Sequence, residues 1–91
     1  MQSSVFATVT VAGNNSGPIA LSQVFNFSVQ GTFTGQVNLE RYLNSTNGWE
    51  ITDTFLAAES GFGYEPSKEK VLYRLNVPTL TAGSVRLLLG Q

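Results

Sequence analysis

Hydrophobic and polar positions alternate along most of the chain with a period of two residues. In residues 5–12, valine and alanine take the odd positions as far as Val11, while phenylalanine and threonine take the even positions between them. This pattern is typical of a β-strand with one buried face. The same alternation recurs in residues 24–30, 36–43, 71–77 and 84–89.

Clusters of glycine, asparagine, serine and proline separate these segments. They are residues 13–18 (GNNSGP), 31–35 (GTFTG), 44–48 (NSTNG) and 66–70 (PSKEK), and Pro78 interrupts the pattern again. About seven short strands with turns roughly every 8–12 residues are typical of an antiparallel sandwich or barrel. We therefore predict one all-β domain over residues 1–91, a small antiparallel β-sandwich of the immunoglobulin or fibronectin type III kind. A small β-barrel is the alternative.

Residues that share the inward phase of these strands form the predicted core. Trp49 would close one end of this core, and Tyr73 lies where the tyrosine corner of an immunoglobulin domain is found. Helix is expected to be negligible. The full predicted core is Phe25, Phe27, Val37, Leu39, Trp49, Ile51, Phe55, Val71, Tyr73, Leu75, Val85 and Leu87.

An Asn-Gly pair at the end of residues 44–48 predicts a hairpin between two strands. A five-residue loop would place Arg41 and Asp53 on the same, otherwise apolar face, as diagonal neighbours that can reach each other. We therefore expect them to form an ion pair. An acid site at Asp53 is disfavoured, because a carboxylate beside an arginine stays ionised. The register sets Leu43 opposite Trp49, Arg41 opposite Ile51, Leu39 opposite Asp53 and Val37 opposite Phe55.

Residues 57–66 have the weakest pattern in the chain. One interpretation is a short helix over residues 55–60, capped by Asp53 and ended by the next glycine. We favour a loop with a short edge strand. Phe62 and Tyr64 alternate with glycines here, so their rings have little neighbouring cover and are expected at the surface.

The composition argues against catalysis. The chain contains no histidine and no cysteine, and 12% of its residues are charged. It therefore lacks a base that titrates near neutrality, a thiolate nucleophile and sulfur ligands for zinc. Glu40 and Glu50 lie near each other on the outward side of the predicted hairpin, but such pairs are usually solvated. We expect no enzymatic activity, no catalytic or metal-binding residues and no cofactor.

The charge balance limits the possible partners. The formal net charge is −1, and the five basic residues are scattered between Arg41 and Arg86, so no nucleic-acid partner is expected. No segment approaches the roughly 18 apolar residues of a membrane helix, and no basic leader precedes the first strand. Neither membrane insertion nor a signal peptide is expected. A chain of 91 residues without disulfides has a small core, which favours association with copies of itself.

Several motifs in the last two thirds of the chain point to one group of proteins. Residues 31–49 (GTFTGQVNLERYLNSTNGW) combine a glycine-bracketed aromatic turn, a V-x-L-x-R strand and a tryptophan after a hairpin. The Tyr73-Arg74-Leu75 triplet and residues 82–87 (AGSVRL) follow. This set resembles small proteins encoded among bacteriophage structural genes. The resemblance implies a virion component made in the host cytoplasm, with no catalytic residues to carry over.

On this basis we expect a non-enzymatic structural component of a phage particle, in particular a capsid decoration protein that binds the shell in many copies. The expected partners are the major capsid protein or another virion protein, and copies of the chain itself. A neck or tail-associated protein is one alternative. A carbohydrate-binding module or adhesin is another, with Trp49, Tyr42, Phe62 and Tyr64 as stacking platforms. The expected contact residues belong to segments that a small core leaves uncovered. They are Gln2, Val5, Phe6, Phe62 and Tyr64.

Overall fold

A computed structural model describes residues 4–43 and 48–91, and eight β-strands account for most of them. The described residues contain no helix, so the interpretation of residues 55–60 as a short helix is wrong. The strands are β1 (Ser4–Val9), β2 (Ile19–Leu21), β3 (Gln23–Gln30), β4 (Phe33–Leu43), β5 (Gly48–Phe55), β6 (Glu59–Glu65), β7 (Val71–Gly83) and β8 (Val85–Gly90).

The strands form two antiparallel four-stranded sheets. Sheet 1 has the order β1-β8-β3-β6, and sheet 2 has the order β2-β7-β4-β5. Strand β1 pairs with β8, β2 with β7, β3 with β6 and β4 with β5. The chain is thus arranged as one long hairpin whose successive strand pairs lie alternately in sheet 1 and sheet 2. This is the strand order of a jelly roll, the eight-stranded fold built from two Greek keys.

The all-β architecture and the two antiparallel sheets are confirmed, whereas the immunoglobulin or fibronectin type III layout is not. In an immunoglobulin domain the first and last strands lie in different sheets. Here β1 and β8 are neighbours in sheet 1. The strands also form two separate sheets instead of the single closed sheet of a barrel. Alternation specifies which side of a strand is buried, but it does not specify which strands pair.

The core lies between the sheets and receives buried apolar side chains from every strand except β6. Val71 is partly buried against it. Two predicted members are wrong: Ile51 is 56% exposed, and Trp49 lies half-buried outside the core. The predicted members that are buried are Phe25, Phe27, Val37, Leu39, Phe55, Tyr73, Leu75, Val85 and Leu87.

A bulge in the β4–β5 hairpin explains both errors. The pairs far from the turn are as predicted, with Val37 opposite Phe55 and Leu39 opposite Asp53. Between Leu39 and the next residue the register shifts, so that Tyr42 lies opposite Trp49. An extra residue in one strand reverses the faces of all side chains beyond it. Trp49 therefore points outward from sheet 2.

Strand β6 presents glycines to the core in place of side chains. Phe25 lies opposite Gly63, and Phe27 lies opposite Gly61. A Cβ atom on Gly63 would overlap the ring of Phe25, and one on Gly61 would lie 3.2 Å from Cζ of Phe27. Gly63 is therefore needed for the Phe25 ring to cover this strand, and a side chain at Gly61 would require a small shift of the Phe27 ring. Because side chains alternate along a strand, the residues between and after them, such as Phe62, face outward.

Candidate protein-binding face

Five large apolar side chains project from the outer surface of sheet 1, and we call this set the apolar face. An isolated exposed leucine or phenylalanine is ordinary, but a contiguous set marks an interaction site. The exposed fractions are 64% for Phe6, 58% for Val24, 76% for Phe62, 59% for Tyr64 and 39% for Leu88.

Strand pairing places this set on one surface of sheet 1. One row of opposed residues crosses all four strands, from Phe6 on β1 through Leu88 on β8 and Ser28 on β3 to Ser60 on β6. Neighbouring strands are about 4.8 Å apart, so the row spans about 14 Å. Its β1 and β8 end is apolar, and its β3 and β6 end carries two small hydroxyl side chains.

The next two rows along β3 and β6 complete the apolar face. Asn26 lies opposite Phe62, and Val24 lies opposite Tyr64. Successive rows on one face of a sheet are about 7 Å apart. The face is therefore a continuous surface with large rings at both edges of sheet 1 and smaller polar residues between them.

A hollow of about 370 Å³ lies beside Phe62 on this surface. Leu88, Asn26, Ser28 and Ser60 also line it. The hydroxyl of Ser28 is the only buried side-chain oxygen or nitrogen within the described ranges that lacks a hydrogen-bond partner. An unpaired buried hydroxyl costs about 1–3 kcal/mol.

The apolar face has almost no charge. Arg86 is the only charged residue among the outward positions of β1, β8, β3 and β6. It lies at one end of sheet 1, where it is opposite Thr8 and Gln30. Binding at this surface would therefore depend on the burial of apolar area and only slightly on electrostatic attraction.

The expected contact residues are distributed as follows. Phe6, Phe62 and Tyr64 all lie on the apolar face, although they come from opposite edges of sheet 1. Val5 faces the other side of β1 and packs, partly buried, against the core. Gln2 lies outside the described residues. The structure therefore brings three of the five residues onto one surface.

Two members of the apolar face were missed by the sequence analysis. Val24 and Leu88 each occupy the outward phase of a strand whose other outward residues are polar, charged or glycine. An apolar residue out of phase with the buried positions is the signal that would have found them. The signal is weak by itself, because single exposed apolar residues are common on protein surfaces.

A buried carboxylate links the two sheets behind the apolar face. Glu65, the last residue of β6, is fully buried. Arg41 donates from Nε to Oε1 of Glu65 at 2.6 Å and from Nη2 to Oε2 at 3.1 Å. The Tyr73 hydroxyl donates to Oε1 at 2.7 Å, and the Ser67 backbone N–H donates to Oε2 at 2.8 Å. Both oxygens of the carboxylate are therefore satisfied by protein groups.

This cluster keeps Glu65 ionised. The hydrogen bonds from Arg41 outweigh the effect of burial and lower the pKa of Glu65 to about 2. Burial, together with the hydrogen bond to the carboxylate, raises the pKa of Tyr73 to about 12. A general acid or base works best when its pKa is near the operating pH. The cluster is therefore suited to joining the sheets and not to transferring protons near neutrality.

Two expectations for these residues are wrong. Arg41 pairs with Glu65 and not with Asp53, which is exposed and accepts the backbone N–H of Thr54. The Tyr73 hydroxyl donates to a carboxylate, whereas a tyrosine corner bonds to backbone. Both errors have one cause, because the carboxylate that contacts Arg41 and Tyr73 comes from a strand of the other sheet.

Trp49 packs among polar groups on the outer face of sheet 2. The guanidinium carbon of Arg74 lies 4.3 Å from the centroid of the indole, and the Tyr42 ring meets it edge-on with centroids 5.4 Å apart. Arg74 donates from Nε to Oε1 of Glu40 at 2.7 Å, and Asn76 donates from Nδ2 to Oε2 at 3.2 Å. Glu40 is therefore held by two donors, and one side of the indole is covered.

The four aromatic residues considered as a stacking platform do not form one array. Trp49 and Tyr42 lie outside sheet 2. Phe62 and Tyr64 lie outside sheet 1. The two pairs are on opposite sides of the sandwich, so a sugar could stack on one pair only.

Replacing Trp49 with alanine should lower the free energy of unfolding by about 1–2 kcal/mol, because it removes an edge-on aromatic pair and a cation–π contact from a half-buried site. Loss of a core tryptophan would cost about 3–5 kcal/mol. Urea denaturation measures the difference. Ile51→Ala, at a 56% exposed position on the same face, is the control and should change stability little. A loss above 3 kcal/mol for the Trp49 variant would contradict its placement outside the core.

Other features of the described residues add no further candidate. Within 4–43 and 48–91, no three His, Cys, Asp or Glu side chains are grouped so that they could hold a metal ion, and no helix is long and apolar enough to cross a membrane. Comparison of the chain with protein-family models, with curated proteins and with solved structures gave no match. The apolar face is therefore the feature from which we infer a function.

Proposed function

We propose that the chain is a non-enzymatic structural component of a bacteriophage particle, a capsid decoration protein that binds the shell in many copies. The observation that carries this proposal is the apolar face of sheet 1, which has five large exposed side chains on one surface and almost no charge. The face would contact the major capsid protein, another virion protein or further copies of this chain.

The size of the face supports binding to a protein. Phe6, Phe62 and Tyr64 are 64%, 76% and 59% exposed. Together they expose about as much as two complete aromatic side chains, which is roughly 300–500 Å². The largest apolar patch on a typical monomer is of similar size and is often functional. Val24 and Leu88 enlarge the face further, so most of it is expected to be covered in the working protein.

The fold and the sequence motifs agree with this proposal. Jelly rolls occur in viral capsid domains as well as in lectins. A fold alone does not establish a function, since one fold serves many. The motifs in residues 31–49, 73–75 and 82–87 resemble those of small phage structural proteins. That resemblance favours the virion over the other uses of the fold.

The polar clusters support a non-enzymatic role. Glu65 is enclosed and ionised, and Glu40 accepts hydrogen bonds from two side chains. Catalysis by paired carboxylates needs one of them to hold a proton near neutrality. Glu65 is held ionised and therefore does not meet this requirement.

Two alternatives use the same surface. A neck or tail-associated virion protein would bind its neighbours through the apolar face in the same way. A carbohydrate-binding or adhesin module is favoured by one observation, the position of Asn26, Ser28 and Ser60 next to the ring of Phe62. Polar groups beside an exposed aromatic ring are what a sugar site requires.

Co-sedimentation of the purified chain with phage particles that lack it tests the proposal. We expect saturable binding in many copies per particle. Phe62→Asp should abolish binding, because it places a charge in the centre of an apolar contact. A severalfold increase in salt concentration should change the wild-type affinity little, because few charges take part.

Leu56→Asp is the matched control for this experiment. Leu56 is 70% exposed but lies in the turn after β5, away from the apolar face. This variant should bind particles as the wild type does. Two results would contradict the proposal and favour the carbohydrate-binding alternative. In one, an increase in salt concentration alone releases the chain from the particles; in the other, the chain binds a glycan but does not bind particles.

A further inference from the structure

We infer that the apolar face binds a second copy of this chain, so that two sheets 1 pack face to face in a two-fold symmetric dimer with Phe6 of each copy in the hollow of the other. In such an interface the same surface is used by both partners and must be complementary to itself. The distribution of charge, the order of the strands and the exposed area each satisfy this requirement.

The low charge of the apolar face favours a second copy of the chain as its partner. A surface that meets its own copy brings like charges together unless it has few of them, and like charges in contact cost free energy. The outward positions of sheet 1 include a single charged residue, Arg86, at one end of the sheet. The chain as a whole carries eleven charged side chains, five basic and six acidic. Two copies that meet through the apolar face would therefore bring only their Arg86 side chains into the contact as like charges.

Strand order makes the face complementary to itself. In sheet 1 the strands β8 and β3 are central, and β1 and β6 are the edges. A two-fold axis parallel to the strands, between β8 and β3, lays β1 of one copy over β6 of the other. Phe6 and Ser60 lie in the same row of opposed residues, so this rotation brings Phe6 opposite Ser60 of the second copy.

The hollow is the place where this ring would enter. Ser60, Ser28, Leu88 and Phe62 line the hollow of about 370 Å³, which has room for a phenyl ring. Phe6 is 64% exposed and projects from the opposite edge of the sheet. The face therefore carries both a projecting ring and a depression that is large enough to receive it. In a two-fold symmetric dimer, the Phe6 ring of each copy enters the hollow of the other, so the contact is made twice.

The exposed rings supply about half of the area that a dimer interface buries, and their neighbours on sheet 1 would supply the rest. The three exposed rings supply roughly 300–500 Å² per copy. A standard interface buries about 800 Å² per partner, with an apolar centre and a polar rim. Val24 and Leu88 add to the centre, and the serines, threonines and asparagine around them would form the rim. Packed sheets lie about 10 Å apart, so side chains from the two faces would interdigitate.

Self-association deepens the proposed function by naming a second copy of the chain, among the partners proposed above, as the occupant of the apolar face, which the shell protein then cannot contact at the same time. It rests on the proposed function for its role in a particle, but the contact can be measured without a particle. Sedimentation velocity of the purified chain over a range of concentrations is the test. We expect a species of twice the 9.8 kDa chain mass at high concentration. Because only the folded chain associates, the thermal unfolding midpoint should rise with protein concentration.

Three variants locate the interface. Phe6→Asp and Phe62→Asp should each weaken the dimer at least tenfold and yield monomers with an unchanged circular dichroism spectrum. Leu56→Asp, which changes an equally exposed leucine in the turn after β5, should dimerise as the wild type does. If Leu56→Asp dissociates the dimer and Phe6→Asp does not, the interface lies elsewhere and the inference is overturned.

The outcome separates this inference from the proposed function. A wild-type chain that stays monomeric at all concentrations, yet binds particles through Phe62, would overturn the dimer and leave the proposed function intact. A chain that dimerises but does not bind particles would support the dimer and overturn the proposed function. A monomer that binds a glycan in the hollow of sheet 1 would overturn both.

Discussion

Replacing Arg41 with methionine should lower the free energy of unfolding by about 3–5 kcal/mol, because it leaves a buried carboxylate without its cation. Glu65 is fully buried, and Arg41 supplies two of the four hydrogen bonds that its oxygens accept. A domain of 91 residues has roughly 5–14 kcal/mol in total. The variant should therefore lose a large fraction of its stability, which urea denaturation would measure.

Two further variants identify the cause of this loss. Arg86→Met removes an exposed arginine that has no ion pair among the described residues, and it should change stability by less than about 0.5 kcal/mol. Arg41→Met combined with Glu65→Met should be more stable than Arg41→Met alone, because the unpaired charge is then gone. If the double variant is no more stable than the single one, the lost packing of Arg41 and not the orphaned carboxylate is responsible.

Acidification should destabilise the domain as the pH falls from about 4.5 to about 2, the interval between the ordinary pKa of a glutamate and the lowered pKa of Glu65. The folded protein holds this carboxylate ionised more strongly than the unfolded chain does. Its contribution is therefore complete above pH 4.5 and disappears as the pH approaches 2. At about 1.4 kcal/mol for each pKa unit, the contribution is on the order of 3 kcal/mol.

Urea midpoints measured at a series of pH values test this expectation, with Glu65→Gln as the control. Glutamine has nearly the same shape but does not titrate. The variant should be less stable at neutrality, and its stability should vary less between pH 5 and pH 2. A decline as steep as that of the wild type would show that Glu65 is not the cause of the acid sensitivity.

The period of two residues was sufficient to predict most of the core and part of the candidate site. Phe25, Phe27, Leu75 and Leu87 are buried because their strands alternate without interruption. Phe62 is exposed for the same reason, since the glycines on either side of it occupy the inward positions. These predictions needed only the geometry of a single strand, in which neighbouring side chains point to opposite faces.

The errors arise where one strand meets another. A bulge after Leu39 reversed the faces of the residues near the turn and moved Trp49 out of the core. No residue type in that segment indicates the bulge. A bulge is an extra residue relative to the paired strand, so it cannot be recognised from one strand alone. The partner of Arg41 was missed for a related reason, since Glu65 belongs to the other sheet.

The sequence by itself determined that this protein is built from strands, which side of most strands is buried, and that its chemistry lacks imidazole and thiol groups. The tertiary structure alone decided the jelly-roll strand order, the ion pair between the sheets, and the assembly of Phe6, Phe62 and Leu88 into one surface. Alternation is a local property of the backbone. Strand order and register depend on the packing of residues that are far apart in the chain. They therefore cannot be read from any short segment.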